Sequence, residues 1–433
     1  MGADDTAHSG GYDADIVVIG AGIVGVSTAL ALSRQGLDVL VLDRQSPGMG
    51  ASYGNAGHMA TEQVFPIADT SILKRLPRML TDPMGPLRLD WKYVPKALPW
   101  FARLLWNLRQ RPYQNSVAGL RALNERSLSA WKRLLASIDQ PHLLKTEGSF
   151  LVHESEKGKE ESEHLFTRMS EQGVPVEPWT GEAIRHRIPE LSNHIKGGLF
   201  FPETGHVIDP LHVVNSLVDA AKLHGAEFKT ADVMKAEKRG KEIRLTTHSG
   251  KIVTKRVVIS CGAHAKDLTR ELTGIHVPLD TERGYHLMLP GEAHRLPVAV
   301  TSLERKFIMT PMSDGLRLAG TVEFAGLHQP PDMRRAWLLH QLSEGLFQSR
   351  LDNENATPWM GFRPSLPDSL PVIDRVGDDG EVLLAFGHHH LGLTQAAITA
   401  EIINHLTLGG NQEIFQRGDD RMPLKFYKVT RFS

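Results

Sequence analysis

The chain has 433 residues, 41% of them hydrophobic and 23% charged, with a formal net charge of −1. At roughly 150 residues per domain this is about three domain-sized units or two larger ones, and the average composition excludes collagen-like, coiled-coil and disordered classes. A near-zero charge gives no overall footprint for nucleic acid, and a single cysteine, Cys261, allows no internal disulfide and fits a reducing, cytoplasmic setting.

Residues 1–12 are small, polar and acidic and read as a mobile tail; Met1-Gly2 with Thr6 matches a short myristoylation pattern, but acidic neighbours speak against it. The run from Ile16 to Ser33 is uncharged, yet Asp13 and Asp15 precede it and glycines interrupt it, so a membrane span is rejected. Asp15 to Ile19 instead predicts a buried strand, followed at once by Gly20-Ala21-Gly22-Ile23-Val24-Gly25. A helix over 26–34 and a second strand over 37–42, ending in Asp43, complete a dinucleotide-binding unit. Gly20 makes the tight turn, Gly22 admits a pyrophosphate, and Gly25 lets helix and strand pack. The helix start at Ile23 and Val24 offers N–H donors to phosphate, and Asp43 can accept ribose hydroxyls.

Beyond Arg44 lies a loop of small residues, Gly48 to His58, containing Ala51, Ser52, Asn55, Ala56 and Gly57 and suited to a second diphosphate or a flat ring. Residues 50–54 also spell GxSxG, but the preceding segment is polar and broken by Pro47, so no strand presents Ser52 as a hydrolase nucleophile. Trp91 to Arg111 interleaves Trp91, Trp100 and Trp106 with Lys92, Lys96, Arg103, Arg109 and Arg111, a pattern of a peripheral membrane contact or of an ordinary packed helix. Further pieces of the first sheet are expected from 210–260 (helix, strand, meander, then Cys261-Gly262-Ala263) and from 382–406, where a strand, the loop Gly387 to Gly392 and a helix recur. The long excursions between these pieces, including strands at 286–289, 307–310 and 316–320, read as one substrate domain. Consecutive His388, His389 and His390 do not aim three ligands at one ion, so no metal is expected.

These motifs carry a family resemblance. GAGIVG with Asp43, SYGNAGHM, GGLFFPETGHVIDP, SCGAHA, RGYHLML, MTPMSDGLRLAGTVEF, GFRPSLPDSLPVI and GHHHLGLTQAAITAEII occur in this order, and the chain resembles the FAD-dependent D-amino-acid oxidase superfamily, above all the bacterial small-type D-amino acid dehydrogenases. The resemblance implies an α/β (α+β overall) fold in which a Rossmann-like FAD-binding domain (13–65, 207–265, 355–433) interleaves with an antiparallel-sheet substrate domain (66–206, 266–354). It implies FAD held non-covalently, with Val233, Cys261, Gly262, Gly361, Gly387, His388, Gly392, Leu393 and Thr394 added to the cofactor site. Cys261 itself is read as an inert packing residue. The triple histidine departs from the family pattern, which has at most one His after the equivalent of Gly387.

The implied reaction is oxidation of a D-amino acid to an imino acid that hydrolyses to a keto acid and ammonia; the alternatives are a cyclic or secondary amino acid of proline, hydroxyproline, sarcosine or glycine type and, remotely, a non-catalytic NAD-sensing module. The flavin carries such chemistry and side chains orient the substrate. Arg363 is the candidate carboxylate clamp. Tyr285 is a second candidate contact, His58 and Arg283 are candidate cavity residues, and Arg317 is assigned to the substrate sheet. Free amides at Gly392, Leu393 and Thr394 are expected to stabilise negative charge on the reduced ring. Oxygen and a membrane quinone both remain open as electron acceptor.

Overall fold

A computed structural model describes residues 11–67, 84–85 and 87–433; the expected tail at 1–12 therefore lies almost wholly outside the described residues. The first strand, Ala14–Ile19, is sealed on both faces, with Ile16, Val17 and Val18 at 0% exposure, each such side chain contributing about 1.5–3 kcal/mol by burial. It pairs in parallel with Val39–Asp43 on one side and Gly250–Ile259 on the other. Glu227–Thr230 and Val382–Phe386 extend the parallel array. Val372–Val376 closes one side antiparallel, and the meander Val233–Arg239, Glu242–Thr247 and Gly250–Ile259 completes the sheet. The helices Ile23–Ser33, Pro210–Leu223 and Gly392–Thr407 bury apolar residues in one core cluster on a face of this sheet.

The first helix starts at Ile23, three residues before the expected position, because the glycine turn itself folds directly into it. Gly25 explains the tightness: a Cβ there would meet the Gly20 carbonyl oxygen at 1.9 Å. Gly20, at φ +108°, adopts a conformation suited to glycine.

The second sheet runs in the order Thr357–Ser365, Asp280–Pro290, Gly315–Phe324, Phe307–Met312, Ala299–Ser302, Ser149–His153, Gly197–Phe201, Glu177–Thr180. Both long excursions thus enter one sheet. It is mixed, where an antiparallel sheet was expected: Ala299–Ser302 runs parallel to Ser149–His153, at the seam where the two excursions meet, and Leu87–Leu89 runs parallel to the end of Gly315–Phe324. The strand Thr357–Ser365, expected in the cofactor unit, hydrogen-bonds along Asp280–Pro290 and belongs to this second sheet. That pairing brings the GxRPxxPD segment to the boundary between the two sheets.

Candidate active site

One cavity of about 1440 Å³ runs from the glycine turn at Gly20 to the second sheet at Trp359 and Arg363. At its first end, Gly20, Gly22, Ile23, Val24, Asp43 and Arg44 line the wall. A Cβ on Gly22 would meet only the Ser52 hydroxyl, at 3.4 Å, so the backbone there is open to a ligand. Ser52 Oγ accepts the Ile23 amide at 2.9 Å, which makes it a partner of the helix start and leaves it without the histidine a hydrolase would need. Asp43 closes the turn, its Oδ2 accepting the Ala21 amide at 2.7 Å and its Oδ1 the Gln45 amide at 2.9 Å. Arg44 Nη2 lies 2.7 Å from His264 Nε2.

Ala51, Asn55, Ala56, Val233, Cys261, Gly262, Gly361, Gly387, His388, Gly392 and Leu393 also line the cavity. Gly25, Gly57 and Thr394 do not. Gly25 is consumed by helix packing, Gly57 (φ +73°) sits in a turn against Met312, and Thr394 Oγ1 accepts the Ala60 amide and donates to the His58 carbonyl. Burial pushes the Cys261 thiol up to about 12, so it stays protonated and unreactive. The Gly392–Thr407 helix is preceded by a 3₁₀ turn, His389–Leu391, whose Leu391 amide is already donated to the His388 carbonyl. Gly392 and Leu393, where open amides were expected, follow this turn on the cavity wall.

The three histidines diverge. His388 Nε2 meets Thr399 Oγ1 at 3.0 Å, His390 Nε2 meets the Gln63 side chain, and His389 Nε2 accepts the Leu366 amide at 2.9 Å. Burial, with His389 nearby, lowers His388 to about 3; burial, with Arg363 and His389 nearby, lowers His390 to about 3. Both are neutral. Among the described residues no group of three His, Cys, Asp or Glu side chains is placed to hold a metal.

Arg363 lies on the cavity wall, deep enough that desolvation lowers its pKa against the opposing pull of Glu282. Among the described residues it makes one hydrogen bond, a long one from Nη1 to the Thr321 carbonyl at 3.4 Å. Two local features make room for it. Gly284 faces the guanidinium, where a Cβ would sit 2.3 Å from Cζ. Thr321 is the extra residue of a bulge, with Gly284 opposite Val322 and Tyr285 opposite Gly320, and its φ of +55° is strained for a β-branched residue. Four residues earlier on the same strand and face, Trp359 stacks on His286 at 5.0 Å, and a Cβ on Gly54 or Gly361 would collide with its indole at about 2 Å.

Tyr285 reaches the cavity with its ring, but its hydroxyl donates to Glu323 Oε2 at 2.6 Å, and burial with this carboxylate pushes it up to about 12. Its one proton is spent there, so it is not a free donor for a substrate carboxylate. His58 lines the cavity with both nitrogens engaged, Nδ1 at the Gly205 carbonyl (3.1 Å) and Nε2 at Glu62 Oε1 (3.0 Å). Burial alone would lower its pKa; the Glu62 carboxylate reverses this and holds it raised. Arg283 points away from the cavity, tied to the carbonyls of Gly326 and Gln329. Arg317 reaches out of the second sheet to the carbonyls of Tyr53 and Asn55, bracing the small-residue loop.

Glu282 and Trp359 had no role in the reading of the sequence, and His389 appeared there only as one of three consecutive histidines. Glu282 offered one signal, a charge at an inward position of a strand otherwise fully buried from Thr281 to Leu289.

Comparisons with known proteins bear on the family and the fold. The family of FAD-dependent oxidoreductases designated DAO matches residues 15–406. A D-amino-acid oxidase from Bradyrhizobium diazoefficiens is 32% identical, covering 96% of this chain and 98% of its own, and a D-amino acid dehydrogenase from Rhizobium johnstonii is 29% identical, covering 93% and 98%. The solved structure of glycine oxidase from Geobacillus kaustophilus shares the fold at a TM-score of 0.73 and 18% identity, covering 96% and 98% of the two chains. An open glycine cradle at a helix start, an adjoining cavity of about 1440 Å³ and a match over nearly the whole chain lead to one conclusion: the protein belongs to the DAO family and is an FAD-dependent amino acid oxidoreductase.

Proposed function

We propose that the protein oxidatively deaminates a D-amino acid with an apolar side chain, giving an imino acid that hydrolyses to a keto acid and ammonia. The observation that carries this reading is Arg363: a guanidinium on the wall of the FAD cavity with a single long hydrogen bond and no acidic partner in ion-pair contact among the described residues. Such a group is a receptor for a planar carboxylate. The similarity to a D-amino-acid oxidase and to D-amino acid dehydrogenases over nearly full length supports the choice of enantiomer.

The apolar preference follows from the wall beside Arg363. Trp100, Phe101, Leu104 and Phe324 line the same cavity, and Trp100 Nε1 donates to the carbonyl of Ser365, two residues from Arg363. FAD, when bound, supplies the acceptor for the two electrons of the α C–H bond. The chain's own residues hold the substrate: Arg363 fixes the carboxylate, the aromatic wall takes the side chain, and neutral His388 and His390 bound the cavity without adding charge. A screen of D- and L-amino acids with a dye acceptor, scoring keto acid and ammonia, tests this directly. Turnover of D-enantiomers of leucine, phenylalanine or methionine type is expected; turnover confined to L-enantiomers, or to amines lacking a carboxylate, overturns it.

A further inference from the structure

Glu282 and Arg363 stand directly opposite each other on antiparallel strands, so their side chains leave the same face with Cβ atoms about 5 Å apart. Both reach the cavity, yet they are not in ion-pair contact. Glu282 is 2% exposed, and its Oε1 accepts the Ser365 hydroxyl at 2.5 Å. Its Oε2 takes no hydrogen bond from the described residues. A carboxylate and a guanidinium therefore face one cavity side by side, each with capacity to spare.

A free amino acid carries the complementary pair of charges on adjacent groups. We propose that Glu282 receives the α-ammonium group of the substrate and accepts its surplus proton, while Arg363 holds the carboxylate. This rests on the reading of the protein as an amino acid oxidoreductase and adds a residue to it. An ammonium nitrogen has no lone pair with which to form C=N, so one proton must leave before the α C–H bond can be oxidised. In the step assigned to Glu282 an N–H bond of the ammonium breaks, an O–H bond at Oε2 forms, and no electrons are transferred between substrate and protein; the proton passes later to water.

Ser365 and His389 are positioning residues. The Leu366 amide can only donate, so His389 Nε2 is its acceptor, and in the neutral ring the proton sits on Nδ1. Nδ1 lies 3.2 Å from Ser365 Oγ and 3.7 Å from Glu282 Oε1. This arrangement fixes Oε1 and leaves Oε2 for the ligand. The titratable groups around Glu282 are Arg363 on the neighbouring strand, His389 and His390 in the loop after Val382–Phe386, and Asp280 at the start of its own strand. Burial alone would raise the Glu282 carboxyl; His389, Ser365 and Arg363 hold it below the usual carboxylate range, ionised at neutral pH. A substrate carboxylate seated on Arg363 cancels part of that pull and makes Glu282 more basic once the ligand is bound.

The test is anaerobic reduction of the holoenzyme's flavin by the best amino acid from pH 6 to 10, in wild type, Glu282→Gln, Glu282→Asp and Ser365→Ala. A parallel titration uses propionate, a carboxylate without an amine, followed by the change in flavin absorbance. Glu282→Gln is expected to reduce the rate at pH 7 roughly 100-fold, with a rise of about tenfold per pH unit toward the pKa of the free amine. Propionate affinity holds or rises, because propionate uses only the carboxylate site and the Glu282 carboxylate beside that site repels it. Glu282→Asp recovers part of the rate. Should Glu282→Gln lack flavin, Ser365→Ala decides, with a smaller loss and a pH profile displaced in the same direction. A wild-type pH profile in the variant that retains flavin overturns the proposal. So does an equal loss of propionate and amino acid binding, which would mean that Glu282 merely props Arg363. If no amino acid reduces wild-type flavin, the broader reading fails whatever Glu282 does.

Discussion

Replacing Arg363 by Lys keeps the charge and removes the fork. In the structure the guanidinium leans on one protein acceptor, the Thr321 carbonyl at 3.4 Å, so nearly all its hydrogen-bonding capacity is left for a ligand. A carboxylate seated on it would gain two charge-assisted bonds, each about 1.5–3 kcal/mol. Lysine retains one of them, and its ammonium is more strongly hydrated and must be stripped of water in the same cavity. The expected loss is about 2 kcal/mol, or roughly 30-fold in KM. Because Lys preserves the positive charge beside Glu282, kcat is expected to fall much less than kcat/KM. Steady-state kinetics with a dye acceptor and the best D-amino acid measure both, and the flavin absorbance per protein confirms that the cofactor is retained. A KM within twofold of wild type at normal flavin content would falsify the placement of Arg363 in the substrate site.

Gly25→Ala sets a Cβ 1.9 Å from a backbone oxygen that has no room to retreat, so the expected product is protein that is insoluble or free of flavin; a yellow, stable variant would contradict the packing described. His286 and His388, each 3% exposed, have pKa values lowered by burial to about 3. They bind no proton when folded but do so when unfolded below about 6.5. Their contribution to stability is therefore present above pH 6.5 and is lost as pH falls toward 3, at up to about 1.4 kcal/mol per pH unit for each. Urea titrations at pH 7.5 and 5 should show a smaller drop in His388→Gln than in wild type, and an equal drop would contradict this. The helix Val94–Asn107 packs inward through Ala97, Trp100 and Leu104 and exposes Leu98, Leu105 and Trp106, with Trp91 just before it. Binding to anionic vesicles at low salt, abolished when Lys92, Lys96 and Arg103 become Gln, is the expected outcome if that face meets lipid; no sedimentation of wild type would assign the segment to packing alone.

The cofactor half was legible because its determinants are local. Strand, glycine turn, helix and terminal acid lie within 30 residues, and the tightest glycine contact, Gly25 against the Gly20 carbonyl, is made inside that unit. The substrate half depends on partners far along the chain. Tyr285 looked like a free hydroxyl, but Glu323, 38 residues away, takes its proton. Arg363 was recognisable from its Gly-Phe-Arg-Pro setting, whereas the space it occupies is made by Gly284 and by a bulge at Thr321 that no local pattern announces. The parallel seam between Ala299–Ser302 and Ser149–His153 joins segments almost 150 residues apart, and so escaped a reading based on neighbouring strands. The turn sends the three consecutive histidines to three different partners, Leu366, Thr399 and Gln63, which no local pattern specifies.

The proposed event is the delivery of electrons from a carboxylate-bearing D-amino acid to FAD in the cavity between the two sheets. Anaerobic mixing of the purified yellow holoenzyme with matched D- and L-enantiomers, followed at the flavin absorbance, measures that event without reference to the natural acceptor. Rapid, complete bleaching by the D-enantiomer, with none by the L-enantiomer, is the predicted result. A protein that stays colourless after incubation with FAD, or a flavin bleached only by L-enantiomers, would contradict it.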